Sequence, residues 1–127
     1  MSTIGTFRTT IHIENAERRG LLRAVEHALV DTGSELTWVP RAVLEELGIR
    51  PEMVRRFLVA DGRQLERAVG IGIVHAAGTM APDYVVFAEP GDMILLGARS
   101  LEGLNLRVDA QRKQLIPAGP MLAGAAA

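Results

Sequence analysis

The chain contains no cysteine. That excludes a disulfide framework and any thiolate metal site, and it fits a reducing, cytoplasmic setting. Aromatic residues are scarce: one Trp, one Tyr and three Phe. Val, Leu, Ile and Ala must therefore fill the core. Charge of one sign is lacking too, since the formal net charge is −1. A nucleic-acid footprint would need a clustered basic face, so no nucleic-acid partner is expected. No apolar run approaches the ~20 residues of a membrane span, so no membrane partner is expected either. Met1 to Thr10 has no apolar h-region, which argues against a signal peptide. His12, His27 and His75 are scattered without ligand spacing and read as surface or strand-edge residues. No metal and no cofactor is expected.

What is present is a chain of 127 residues, 48% of them apolar. That is one domain's worth of core, because domains typically run about 100–150 residues. No internal repeat is visible. Phe7–Ile13 alternates apolar and polar, as a half-buried strand does. Glu14–Gly20 is charged, ends in glycine and reads as a hairpin loop. Leu22–Val30 is the returning strand. Pro40 opens a short helix whose apolar face is Val43, Leu44 and Leu47 and which Gly48 stops. Arg55–Ala60 and Gln64–Ile73 flank Asp61-Gly62, a strong two-residue hairpin signal. Tyr84–Ala88 is a strand, Glu89–Asp92 a turn and Met93–Leu96 a buried strand. Ala98–Gly103 forms a short helix. Leu104–Asp109 and Gln114–Ile116 make a terminal hairpin around Ala110–Lys113. Many short strands with turn signals and one or two short helices predict a mostly-β, barrel-like domain over residues 1–120. The small-residue segment 121–127 reads as a disordered tail.

The most informative feature is Asp31-Thr32-Gly33. It follows the apolar run Ala28-Leu29-Val30 and leads into Ser34-Glu35-Leu36-Thr37-Trp38-Val39-Pro40. A carboxylate at the end of a buried strand is expensive unless its charge is satisfied. Glycine lets the backbone turn tightly and brings its N–H to the carboxylate, which holds and tunes it. An ordinary turn between strands is the competing reading of this triplet.

Hydrophobic-hydrophobic-Asp-Thr-Gly-Ser resembles the active-site loop of the pepsin and retropepsin families of aspartic proteases. Trp38-Val39-Pro40 is similar to the segment that follows that loop in pepsin-type enzymes. A second element, Ile94-Leu95-Leu96-Gly97, resembles the later strand that crosses behind the loop in retropepsins. The resemblance runs from about Phe7 to Pro117. It implies a retropepsin-like acid protease barrel with one lobe per chain, and a polypeptide substrate.

This chemistry needs two carboxylates sharing one proton, and the chain holds one Asp-Thr-Gly. Asp61, Asp83, Asp92 and Asp109 have the wrong neighbours for a second copy. The resemblance thus implies a C2 homodimer, with Asp31 supplied by each subunit. It makes Asp31, Thr32 and Gly33 the catalytic triplet, with Thr32 locking the two loops together across the axis. Capping of its own backbone is the alternative for Thr32. Ser34 is expected beside the carboxylate as a substrate-binding residue, able to donate a hydrogen bond to the ionised form. The hairpin around Ala60, Asp61 and Gly62 resembles the substrate-covering flap; a plain surface hairpin is the alternative. Its tip is charged where retropepsin flaps are glycine-rich. Ala98 also stands where many retropepsins carry Arg, and Arg99 follows one residue later. Whether Arg99 pairs with Glu35 stays open. A non-catalytic dimerisation or peptide-binding module with the same fold is the competing function.

Overall fold

A computed structural model describes residues 6–125. Residues 1–5, part of the segment read for a signal peptide, and 126–127, the end of the expected tail, lie outside it. Nine strands and two short helices follow in the order β1 (Arg8–Asn15), β2 (Arg18–Asp31), β3 (Thr37–Pro40), α1 (Arg41–Glu46), β4 (Met53–Leu58), β5 (Gln64–Ala76), β6 (Thr79–Ala88), β7 (Leu95–Gly97), α2 (Ala98–Gly103), β8 (Leu106–Asp109) and β9 (Gln114–Pro117). The mostly-β expectation holds.

Seven strands form one sheet in the order β1-β2-β7-β3-β6-β5-β4, and β1 also pairs with β5, which curls the sheet into a barrel. A separate hairpin, β8–β9, follows the second helix. The barrel interior is aliphatic, as the aromatic shortage demands: Ile11, Ile13, Val30, Val39, Leu44, Val74, Val85 and Leu96 surround Phe87. A smaller cluster forms around Trp38, Val69, Val86 and Ala88, with Phe57 and Tyr84 packed against it. Trp38 meets Phe57 edge-on, with ring centroids 4.9 Å apart, and so ties the β4–β5 hairpin to β3, the strand that follows the Asp31 loop. Gly70 is required by close approach: a Cβ there would lie 2.7 Å from the Arg50 carbonyl oxygen and 3.1 Å from Phe87.

Several boundaries differ from the sequence reading. The charged Glu14–Gly20 segment is mostly strand, with only Ala16 and Glu17 between β1 and β2. Its charges are satisfied locally. Gly20 N–H and the Arg19 guanidinium both reach the buried Glu14 carboxylate. Asn15 donates from Nδ2 to the Leu47 carbonyl oxygen and accepts the Glu17 N–H. The β5 and β6 strands run on to a tight turn at Ala77-Gly78, because their alternating small and apolar residues keep the ladder intact. The Asp61-Gly62 turn is wider than a two-residue hairpin. Val59 accepts the Gly62 N–H and donates to the Arg63 carbonyl, leaving Ala60, Asp61 and Gly62 as a three-residue loop. Gly62 takes φ +90°, a conformation favouring glycine that closes such loops. Residues 121–125 carry neither strand nor helix and are exposed. No helix among the described residues is long and apolar enough to cross a membrane.

Candidate active site

The strand that carries Asp31 bends just before reaching it. In the β1–β2 ladder Thr9 faces Ala28 while Ile11 faces Val25, so β2 holds one extra residue there. His27 absorbs it with φ +61°, and its carbonyl accepts a hydrogen bond from Arg8 Nη1 at 2.8 Å. A bulge increases local twist and re-aims the strand. Beyond it β2 joins β7 in parallel, with Leu29 opposite Leu95, Val30 opposite Leu96 and Asp31 opposite Gly97. The Leu29 N–H also reaches the Ile94 carbonyl at 2.9 Å.

Asp31 ends that strand half-buried, and Thr32 and Gly33 turn outward into solvent. The Gly33 N–H donates to Asp31 Oδ1 at 2.9 Å, the contact expected of glycine in this triplet. The Ser34 N–H donates to the Asp31 carbonyl at 3.2 Å, closing the turn. The Ser34 hydroxyl departs from expectation. It donates to the Leu36 carbonyl at 2.8 Å and not to the Asp31 carboxylate. That carbonyl lies two residues ahead, where the turning backbone brings it within reach.

The strand crossing behind the loop is the partner the sequence anticipated. A side chain at Gly97 would overlap the Leu36 carbonyl and come within 2.9 Å of the Ser34 carbonyl oxygen. Only glycine lets the two segments touch. The first N–H groups of α2 then hold the loop: Ala98 donates to the Ser34 carbonyl at 2.8 Å and Arg99 to the Glu35 carbonyl at 3.0 Å. The strand starts at Leu95 and includes Gly97, slightly later than Met93–Leu96, because pairing with Leu29–Asp31 sets its limits.

The geometry matches what the family comparison finds: the aspartyl protease model covers residues 16–100. The chain belongs to the aspartyl protease family. No curated protein matches it.

Within this aspartyl protease chain, Asp31, Thr32, Gly33 and Ser34 form one loop. Ala60, Asp61 and Gly62 lie apart from it, exposed at the tip of the β4–β5 hairpin. Among the described residues, the tip's hydrogen bonds stay within the hairpin. Asp61 Oδ1 accepts the Arg63 N–H and Oδ2 accepts Arg63 Nε at 2.6 Å. These bonds, the backbone one first, hold the Asp61 carboxyl below its ordinary range. The hairpin's base is clamped harder. Arg67 on β5 makes a two-pronged ion pair with Asp92, with N–O distances of 2.7 and 2.9 Å. Arg41 grips Glu89 in the same way. The guanidiniums hold both carboxyls below the usual range. Together they fix the Glu89–Asp92 turn that leads into β7.

Arg99 does not pair with the Glu35 side chain. It lies 4.8 Å over the Tyr84 ring and donates to Asp83 Oδ1 at 3.1 Å. Asp83, with Ser100 and Thr37, was not singled out as functional from sequence. A signal existed: extending Tyr84–Ala88 backward at period two puts Asp83 on the side of Val85 and Phe87. Among the described residues, no group of three His, Asp or Glu side chains is arranged to hold a metal.

Proposed function

We propose that the chain is a homodimeric aspartic endopeptidase whose catalytic pair is Asp31 from each of two subunits. The observation that carries this is the Asp31 carboxylate, held by the Gly33 N–H at a strand end and backed by Gly97. One such loop per chain is half of a proton-sharing pair. A second copy related by a twofold axis completes it.

In this reading one Asp31 is ionised and the other protonated. The ionised one takes a proton from a water as its oxygen attacks the scissile carbonyl carbon. The protonated one gives its proton to the carbonyl oxygen. The tetrahedral diol then collapses: the C–N bond breaks, the leaving nitrogen takes the proton that the first Asp31 removed from water, and a diol hydroxyl returns a proton to the second Asp31, so an acid and an amine leave and the pair is restored. Thr32, exposed beside Asp31, is the residue that would bond across the axis. Gly33 offers backbone to the substrate, and the Ala60–Gly62 tip closes over it, excluding water.

Purified protein incubated with a mixed peptide library tests this, with and without a statine-type inhibitor. Inhibitor-sensitive cleavage is expected, and Asp31→Asn is expected to abolish it while leaving the circular dichroism spectrum unchanged. Asn keeps the shape but can neither take nor share the proton. Cleavage by Asp31→Asn near the wild-type rate removes Asp31 from the chemistry. Binding without cleavage leaves a peptide-binding module.

A further inference from the structure

Asp83 is a carboxylate buried in the barrel wall that no step of the proposed reaction uses. It sits on β6 with only 9% of its surface exposed. Both of its oxygens accept hydrogen bonds. Oδ1 accepts the Tyr84 N–H at 2.7 Å and Arg99 Nε at 3.1 Å. Oδ2 accepts the Ser100 hydroxyl at 2.7 Å. Ser100 Oγ lies 2.6 Å from Thr37 Oγ1, and both residues are completely buried. Thr37 Oγ1 in turn accepts the Gly97 N–H at 3.0 Å.

Each hydroxyl has one proton to give. Ser100 gives its proton to the carboxylate, so Thr37 must give its own to Ser100. The amide of Gly97 gives to Thr37. The carboxylate therefore sets one direction for the whole chain of bonds. That chain ends on the residue directly opposite Asp31. The next two amides, of Ala98 and Arg99, hold the carbonyls of Ser34 and Glu35.

Stability alone does not call for such a chain, because replacing both partners of a buried hydrogen bond by apolar groups of the same shape can be nearly neutral. What the chain adds is direction. We infer that Asp83 is a positioning residue: through Ser100 and Thr37 it fixes Gly97 and the start of α2, and through them the loop that aims the Asp31 carboxylate. This rests on the endopeptidase reading.

The test compares Thr37→Val, Thr37→Ser and Asp83→Asn with wild type, using a peptide the wild type cleaves and amide hydrogen exchange at Gly97, Ala98 and Arg99. Valine keeps the shape and removes the hydroxyl, whereas serine keeps the hydroxyl. Misplacement of a catalytic group by about 1 Å costs on the order of 100-fold, so kcat is expected to fall at least ~10-fold in Thr37→Val and Asp83→Asn, with KM within ~2-fold. Exchange at the three amides should quicken, and Thr37→Ser should restore both readouts. Unchanged kcat in Thr37→Val, or equal losses in the Val and Ser variants, overturns the inference. If Thr37→Val does not fold, Asp83→Asn against wild type decides in the same way. An inactive wild type overturns the endopeptidase reading instead. Exchange then decides the positioning role alone, and unchanged protection of the three amides in the variants rejects it.

Discussion

Glu14 is expected to make the fold sensitive to acid. It is 2% exposed, and its pKa is lowered to about 2, first by the Gly20 N–H, then by His75, against the opposing cost of burial, with Arg19 adding to the lowering. A carboxyl whose folded value lies below its unfolded one stabilises the fold above the unfolded value. That contribution is lost as pH falls towards the folded one. The window here runs from the ordinary value of 4.5 down to about 2. Urea midpoints measured across that window should fall steeply for wild type and less steeply for Glu14→Gln, which has no such proton to take up. Equal slopes would mean that another group governs acid unfolding. The sequence made Asp31 legible because its neighbours carry a pattern. It hid Glu14, because burial of a charge inside a charged segment depends on partners from β2 and β5. Ser34 was misjudged for a related reason: a hydroxyl bonds to the acceptor the backbone brings closest.

The elements were read well where one chain segment decides them and less well where pairing does. The Ala98–Gly103 helix and the Glu89–Asp92 turn stand where local signals put them. The β2 strand outran its apolar run, because its partner extends the ladder through charged residues that can face water, and β6 reaches back to Thr79 because β5 pairs with it along that whole length. The three-residue loop at the hairpin tip escaped notice because Asp-Gly serves more than one turn type. Gly62 has φ +90° and no atom within 4 Å of the place a Cβ would occupy. Replacing it strains only its own backbone, by about 1–2 kcal/mol. Gly62→Val is therefore expected to lower peptide cleavage more than it lowers the melting temperature. Cleavage unchanged in that variant would make the hairpin a bystander. Gly97→Ala should behave oppositely. Its methyl group meets the Leu36 and Ser34 carbonyls, so folding itself should suffer, visible as loss of a cooperative thermal transition.

At the scale of the whole molecule, a site built from two copies obeys mass action. Specific activity should fall on dilution in step with the dimer fraction measured by sedimentation. An active monomer would contradict the twofold pair. A pair that must keep one proton and lose one gives a rate that rises and falls with pH, expected to peak in the mildly acidic range. A flat profile would exclude it. The barrel class and the Asp31 loop were legible because alternation and a short motif are local. The strand order and the buried Asp83 chain were not, since both arise only when distant segments meet. The Asp31–Gly97 pairing also bears on how the chain is made. Parallel strands far apart in sequence pair slowly, since a long loop must close first. While a ribosome has delivered only residues up to the Glu89–Asp92 turn, nothing backs the Asp31 loop. The nascent chain can then hold the Asp31 motif and none of its geometry, which takes shape only once Leu95–Gly97 has been made.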